Sequence, residues 1–116
     1  MVNIEEIDMT HVEFEGRRES REPVEMMARF RHNISSVTVM LQDITRGGAR
    51  VAGVGNLTKD DAAFLMLPGL APKLVFIAWS TEHSVGLEFA EPLNQDVFSG
   101  LVSDFGRRNH SLIQAA

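Results

Sequence analysis

The 116-residue chain has no cysteine and no tyrosine, and only one tryptophan. Without cysteine there is neither a disulfide framework nor a thiolate zinc site, and the composition fits a reducing compartment, so stability has to come from packing. No apolar run approaches the roughly 18 residues that a membrane-spanning helix needs; the chain offers only short stretches such as LVFIAW at 74–79. The acidic N-terminus does not have the form of a signal peptide, so no membrane insertion and a cytoplasmic location are expected. No Gly-Lys-Ser/Thr phosphate loop is present, and GVGNLT at 53–58 has Thr58 where a dinucleotide-binding fingerprint needs its last glycine. His11, His32, His83 and His110 lack metal-ligand spacing, and no serine or cysteine nucleophile stands with a histidine in a recognisable pattern. The expectation is a protein that is not an enzyme and holds no metal and no cofactor.

What is there belongs to an ordinary globular domain. Hydrophobic residues make up 44% of the chain, with a mean hydropathy of −0.05, and the length suits one core. The formal charge of −5 opposes a sequence-blind grip on polymeric nucleic acid, which needs cationic surface to release counterions. The charge is unevenly spread. Between residues 17 and 50 seven arginines (17, 18, 21, 29, 31, 46 and 50) face four acids (19, 22, 25 and 43), a local excess of three positive charges that suits a small anionic ligand.

Residues 1–14 read as a flexible acidic leader, carrying Glu5, Glu6, Asp8 and Glu13 among few large apolar side chains. From Pro23 the pattern has period two, with Val24, Met26, Ala28 and Phe30 on one face and Glu25, Met27, Arg29 and Arg31 on the other. SVTVMLQDI repeats it with Val37, Val39 and Leu41 opposite Thr38, Met40 and Gln42, and the glycines of RGGARVAGVG supply a tight turn, so these two segments should pair as a hairpin. DAAFLMLPG, PKLVFIAWS and SVGLEFAEP add three short apolar stretches at about the spacing that signals a small sandwich or barrel. The first has the residues of a good helix former, but its shortness and its Pro-Gly boundary favour a strand. After Pro92 the period changes: Asn94 is an N-cap, Val97, Phe98, Leu101, Val102 and Phe105 recur at helical spacing, and Arg107 and Arg108 fall in the expected last turn. The expected fold is all-β, a six-stranded antiparallel barrel over residues 15–93, with a C-terminal helix over 94–110 packed on it and a tail at 111–116.

Two short segments carry chemistry. GRRESREP at 16–23 gathers Arg17, Arg18 and Arg21 immediately before the first strand, and DITRGG at 43–48 places Asp43, Thr45 and Gly48 at the next hairpin. Each alone reads as solvated surface or a plain turn. Together, Arg17-Arg18-Glu19-Ser20-Arg21 and Asp43-Ile44-Thr45-Arg46-Gly47-Gly48 resemble the R-x-x-x-R and [DN]-x-S-x-x-G motifs of the PilZ domain, the bacterial receptor module for cyclic di-GMP. IAW followed by VGLEF looks like the final two strands of that family, and the resemblance covers roughly residues 15–93. Thr45 departs from the usual serine, keeping the hydroxyl and adding a methyl group.

The resemblance implies a cyclic di-GMP receptor with a site at Arg17, Arg18, Arg21, Asp43, Thr45, Gly48 and Trp79. It implies a signal passed by contact with a downstream protein once the arginine segment closes on the ligand. The residue types suit the ligand: arginine forks onto phosphate oxygens or onto guanine O6 and N7, and a carboxylate accepts from the guanine N1–H and N2 amino edge. Trp79 has two readings, a core side chain or a stacking platform, since strict alternation puts it with Val75 and Ile77. A barrel of this type that binds no nucleotide and serves only as a protein-interaction module is the alternative, and one ligand or a stacked pair would both fit.

Overall fold

The computed structural model describes residues 21–106, and the leader, Arg17, Arg18, Arg107, Arg108 and the tail lie outside them. The strands are β1 (Glu22–His32), β2 (Ser35–Ile44), β3 (Gly48–Ala52), β4 (Ala62–Met66), β5 (Lys73–Ser80) and β6 (Ser84–Phe89), followed by helix α1 (Gln95–Phe105). They form a closed barrel in the order β1-β2-β3-β6-β5-β4, every neighbouring pair antiparallel. The sequence expectation of a six-stranded antiparallel barrel with a C-terminal helix is therefore met.

Period-two patterning directs the interior. Val24, Met26, Ala28 and Phe30 of β1 are buried, while Glu25, Met27, Arg29 and Arg31 face outward. β4 is a strand despite its helix-forming residues, because it closes the ring: Arg29–Arg31 of β1 pair with it on one side and Lys73–Phe76 of β5 on the other, with Ala63 and Leu65 turned inward. Satisfying both rows of backbone groups outweighs propensities that differ by only a few tenths of a kcal/mol per residue. Val37 departs from the expectation that it joins Val39 and Leu41 inside, being 38% exposed. β3 pairs with β2 only from Met40 to Ile44, so at Val37 β2 has β1 on one side and no strand on the other, which leaves the side chain partly exposed.

Asn94 caps α1 through its side-chain oxygen, which accepts from the N–H groups of Asp96 at 2.7 Å and Val97 at 3.3 Å. Phe98 and Leu101 are buried in the same core as Val24 and Leu93, and burial of side chains of this size contributes about 1.5–3 kcal/mol each. The helix is shorter than its expected span. It stops at Phe105, and Gly106 adopts an extended conformation and forms an isolated antiparallel bridge with Val24. That pairing on the barrel ends the helix before Arg107 and Arg108, and its last turn carries no basic residue. Among the described residues no helix is long and apolar enough to cross a membrane.

These positions predict opposite sensitivities. Leu65→Ala should lose about 2–5 kcal/mol in urea unfolding, since Leu65 is fully buried in the closing strand, whereas Val37→Ala should lose less than about 1 kcal/mol. Equal losses would show that Val37 is packed in solution.

Candidate functional site

A full interior leaves a ligand only the outside of the barrel, and two irregularities bring chemical side chains there. In β2 the register shifts between Leu41 and Asp43, so Gln42 is an extra residue against β3. In β5 it shifts between Ile77 and Trp79, so Ala78 is extra against β6. A bulge of this kind inverts the alternation downstream of it. Leu41 and Ile44 are both buried within, and Asp43 between them turns outward; Ile77 is buried and Trp79 is 44% exposed. Trp79 is therefore not a core residue.

The register then aligns Asp43 of β2 with Arg50 of β3, Arg50 with Gly86 of β6, and Gly86 with Trp79 of β5. This is one transverse row across four strands on the outer face. The neighbouring row, Ile44, Ala49, Leu87 and Ile77, is buried throughout. Gly86 holds the row together: a Cβ there would fall inside the indole of Trp79, so only glycine lets the ring lie across β6. Over this row lies an open groove of about 610 Å³. Its lining includes Arg21, Asp43, Thr45, Gly48 and Trp79, five of the residues singled out from the sequence, and Arg17 and Arg18 lie outside the described residues.

Charge in the groove is balanced by specific contacts. Arg50 donates from Nε to Oδ2 of Asp43 at 2.9 Å, with the carboxylate side chain 13% and the guanidinium side chain 45% exposed. Asp43 is the one buried charged residue among those described, and this cation directly opposite on the next strand makes its burial tolerable. Arg21 and Glu88 supply one further charge of each sign. The arginine excess read between residues 17 and 50 is dispersed by the fold. Arg29 and Arg31 lie on the outer face of β1 opposite Met66 and Phe64 of β4, and Arg46 donates from Nε to the Leu93 carbonyl at 2.8 Å, fastening the chain that enters α1. Arg50, Gly86 and Glu88 were not recognised from the sequence as site residues. Only the pairing of β3 with β6, distant in the chain, reveals them.

The turn at the end of β2 uses its residues differently from the sequence reading. The Thr45 hydroxyl accepts from the N–H groups of Gly47 at 3.1 Å and Gly48 at 3.0 Å, and the Thr45 N–H donates to the Gly48 carbonyl at 2.8 Å. Both lone pairs of the hydroxyl thus build the turn, and its proton is directed to the Gly48 carbonyl at 3.4 Å. Gly48 is required by the neighbouring strand: a Cβ would be driven into the carbonyl oxygen of Leu87 on β6. Among the described residues no three His, Cys, Asp or Glu side chains gather as a metal site.

Thr45→Ser should retain the turn. Thr45→Val, nearly the same shape, removes the acceptor of two partly buried N–H groups and should cost about 1–3 kcal/mol in chemical denaturation. Equal stability of the two variants would show that the hydroxyl does not support the turn. No protein-family model matches the chain, and no curated protein gives a significant match.

Proposed function

We propose that the protein is a cyclic di-GMP receptor that signals by contact with another protein. The observation that carries this reading is the outer row Asp43, Arg50, Gly86 and Trp79 beside Arg21, which offers a purine and a phosphate the groups each needs within one groove. The exposed indole is a stacking surface, the Asp43 carboxylate accepts from a guanine edge, and the Arg21 guanidinium forks onto a phosphodiester. Arg17 and Arg18, by their likeness to the PilZ motif, act with Arg21 on the phosphates. The groove volume, about 610 Å³, lies within the usual 300–1,000 Å³ of small-molecule sites.

A separate observation favours the interaction part of the reading. Phe64, Leu74 and Phe76 stand exposed on the outside of β4 and β5, Phe64 directly opposite Leu74 and Phe76 opposite Ala62. Arg31 lies over the Phe64 ring at 5.6 Å from its centre. An apolar face of this kind suits contact with another protein, and it shares strand β5 with Trp79. If the barrel were only such an interaction module, nucleotide would not bind, and the two readings separate on that measurement.

Isothermal titration of the full chain with cyclic di-GMP should give saturable binding, and a long single-stranded RNA should give none. Arg21→Ala should weaken cyclic di-GMP binding by at least about tenfold, as expected for loss of a charge-assisted hydrogen bond. Its thermal stability should stay within about 0.5 kcal/mol, since Arg21 is exposed. Unchanged affinity in Arg21→Ala would remove that residue from the site, and absence of binding to the unaltered chain would leave the interaction module.

A further inference from the structure

We infer that Arg50 is the residue that makes the groove select guanine over adenine, an inference that rests on the proposed cyclic di-nucleotide site and names the source of its specificity. Trp79 does not select, because every base has a face to stack on and stacking is tolerant of base identity. Asp43 alone selects poorly. A carboxylate accepts from the N1–H and N2 amino groups of guanine, but it also accepts from the N6 amino group of adenine. What separates the two bases is the neighbouring position, where guanine presents the O6 acceptor and adenine presents the N6 donor. A fixed donor beside the carboxylate matches guanine across three groups and opposes adenine in that register.

Arg50 occupies that position. It lies directly opposite Asp43 on the next strand and between Asp43 and the Gly86–Trp79 platform in the same outer row. Its Nε is engaged with Asp43 Oδ2 at 2.9 Å, which fixes the plane of the guanidinium beside the carboxylate. The guanidinium carries two further NH2 groups in that plane, and its side chain is 45% exposed on the groove. Carboxylate and guanidinium thus form an ordered pair, acceptor then donor, at the edge of a base stacked on the indole. Glu88, the other charged groove residue on the β6 side, is an acceptor and would favour the adenine amino group, so it cannot supply this discrimination. Lysine could not replace Arg50 fully, because a single ammonium cannot hold Asp43 with one arm and present another in a fixed plane.

The test compares cyclic di-GMP with cyclic di-AMP on the full chain by isothermal titration, for the unaltered protein, Arg50→Gln and Arg50→Lys. The affinity ratio between the two nucleotides should fall by about 10- to 100-fold in Arg50→Gln, and Arg50→Lys should recover part of it. A merely structural role for Arg50 would weaken both nucleotides equally and leave the ratio unchanged. Thermal unfolding identifies folded protein, and because Arg50→Lys keeps a cation beside Asp43, it provides the comparison if Arg50→Gln does not fold. A ratio unchanged in the folded variants would overturn the role of Arg50 while leaving the cyclic di-GMP reading intact. Absence of cyclic di-GMP binding to the unaltered chain would overturn both.

Discussion

Closure of the strand ring is the constraint on which the rest depends. Once β4 pairs with both β1 and β5, the strand ring is closed, and inward side chains of all six strands form one core. With the core occupied by these side chains, the chemistry of this barrel is built on the outer face. That face is set by strict alternation, which in β2 and β5 would turn Asp43 and Trp79 the wrong way. One extra residue in each strand, Gln42 and Ala78, reverses both. The two bulges are thus the device that converts a packed barrel into one with a polar and aromatic groove.

The groove residues carry structural duties beside any chemical ones. Arg50 offsets the burial of Asp43, Gly86 makes space for the Trp79 ring, Gly48 admits the backbone of β6, and the Thr45 hydroxyl closes the turn. A site in which each functional group is held by a second interaction loses little conformational freedom when a ligand arrives. Arg21 differs from these, being exposed at the head of β1 rather than within a strand pair. The rigid rim and the arginine that precedes the first strand are therefore different kinds of component, one preorganised by the barrel and the other set at its margin.

Arginine, common in the first half of the chain, is put to three uses. Arg21 and Arg50 border the groove, Arg46 ties the end of β2 to the entry of α1, and Arg29 and Arg31 lie on the outer face of β1. Arg29 donates to the hydroxyls of Thr38 at 3.0 Å and Ser36 at 2.9 Å, which braces the half of β2 that β3 does not reach. The local positive excess is thus a property of the sequence interval and not of one surface, because alternation and loop geometry send neighbouring arginines in different directions.

The alternation of β1, the glycine-containing hairpin after β2, the Pro-Gly punctuation around β4 and the change of period at Asn94 were enough to indicate six strands, in a small sandwich or barrel, followed by a helix, and the pairing of β4 with β1 decided closure. These are local signals, and the periods of 2 and 3.6 express them directly in residue order. Asp43, Thr45 and Gly48 were legible for the same reason, as a short polar group at a turn. Tertiary structure alone decided the face of Trp79, the partner of Asp43, the need for glycine at 86 and the end of the helix at Gly106. Each of these depends on the register of pairing with another element: β6 for Trp79, β5 for Gly86, β3 for Asp43, and β1, far away in the chain, for Gly106. A bulge leaves the composition of a strand unchanged while inverting its faces, so the outer row that defines the groove exists only once the strands are paired.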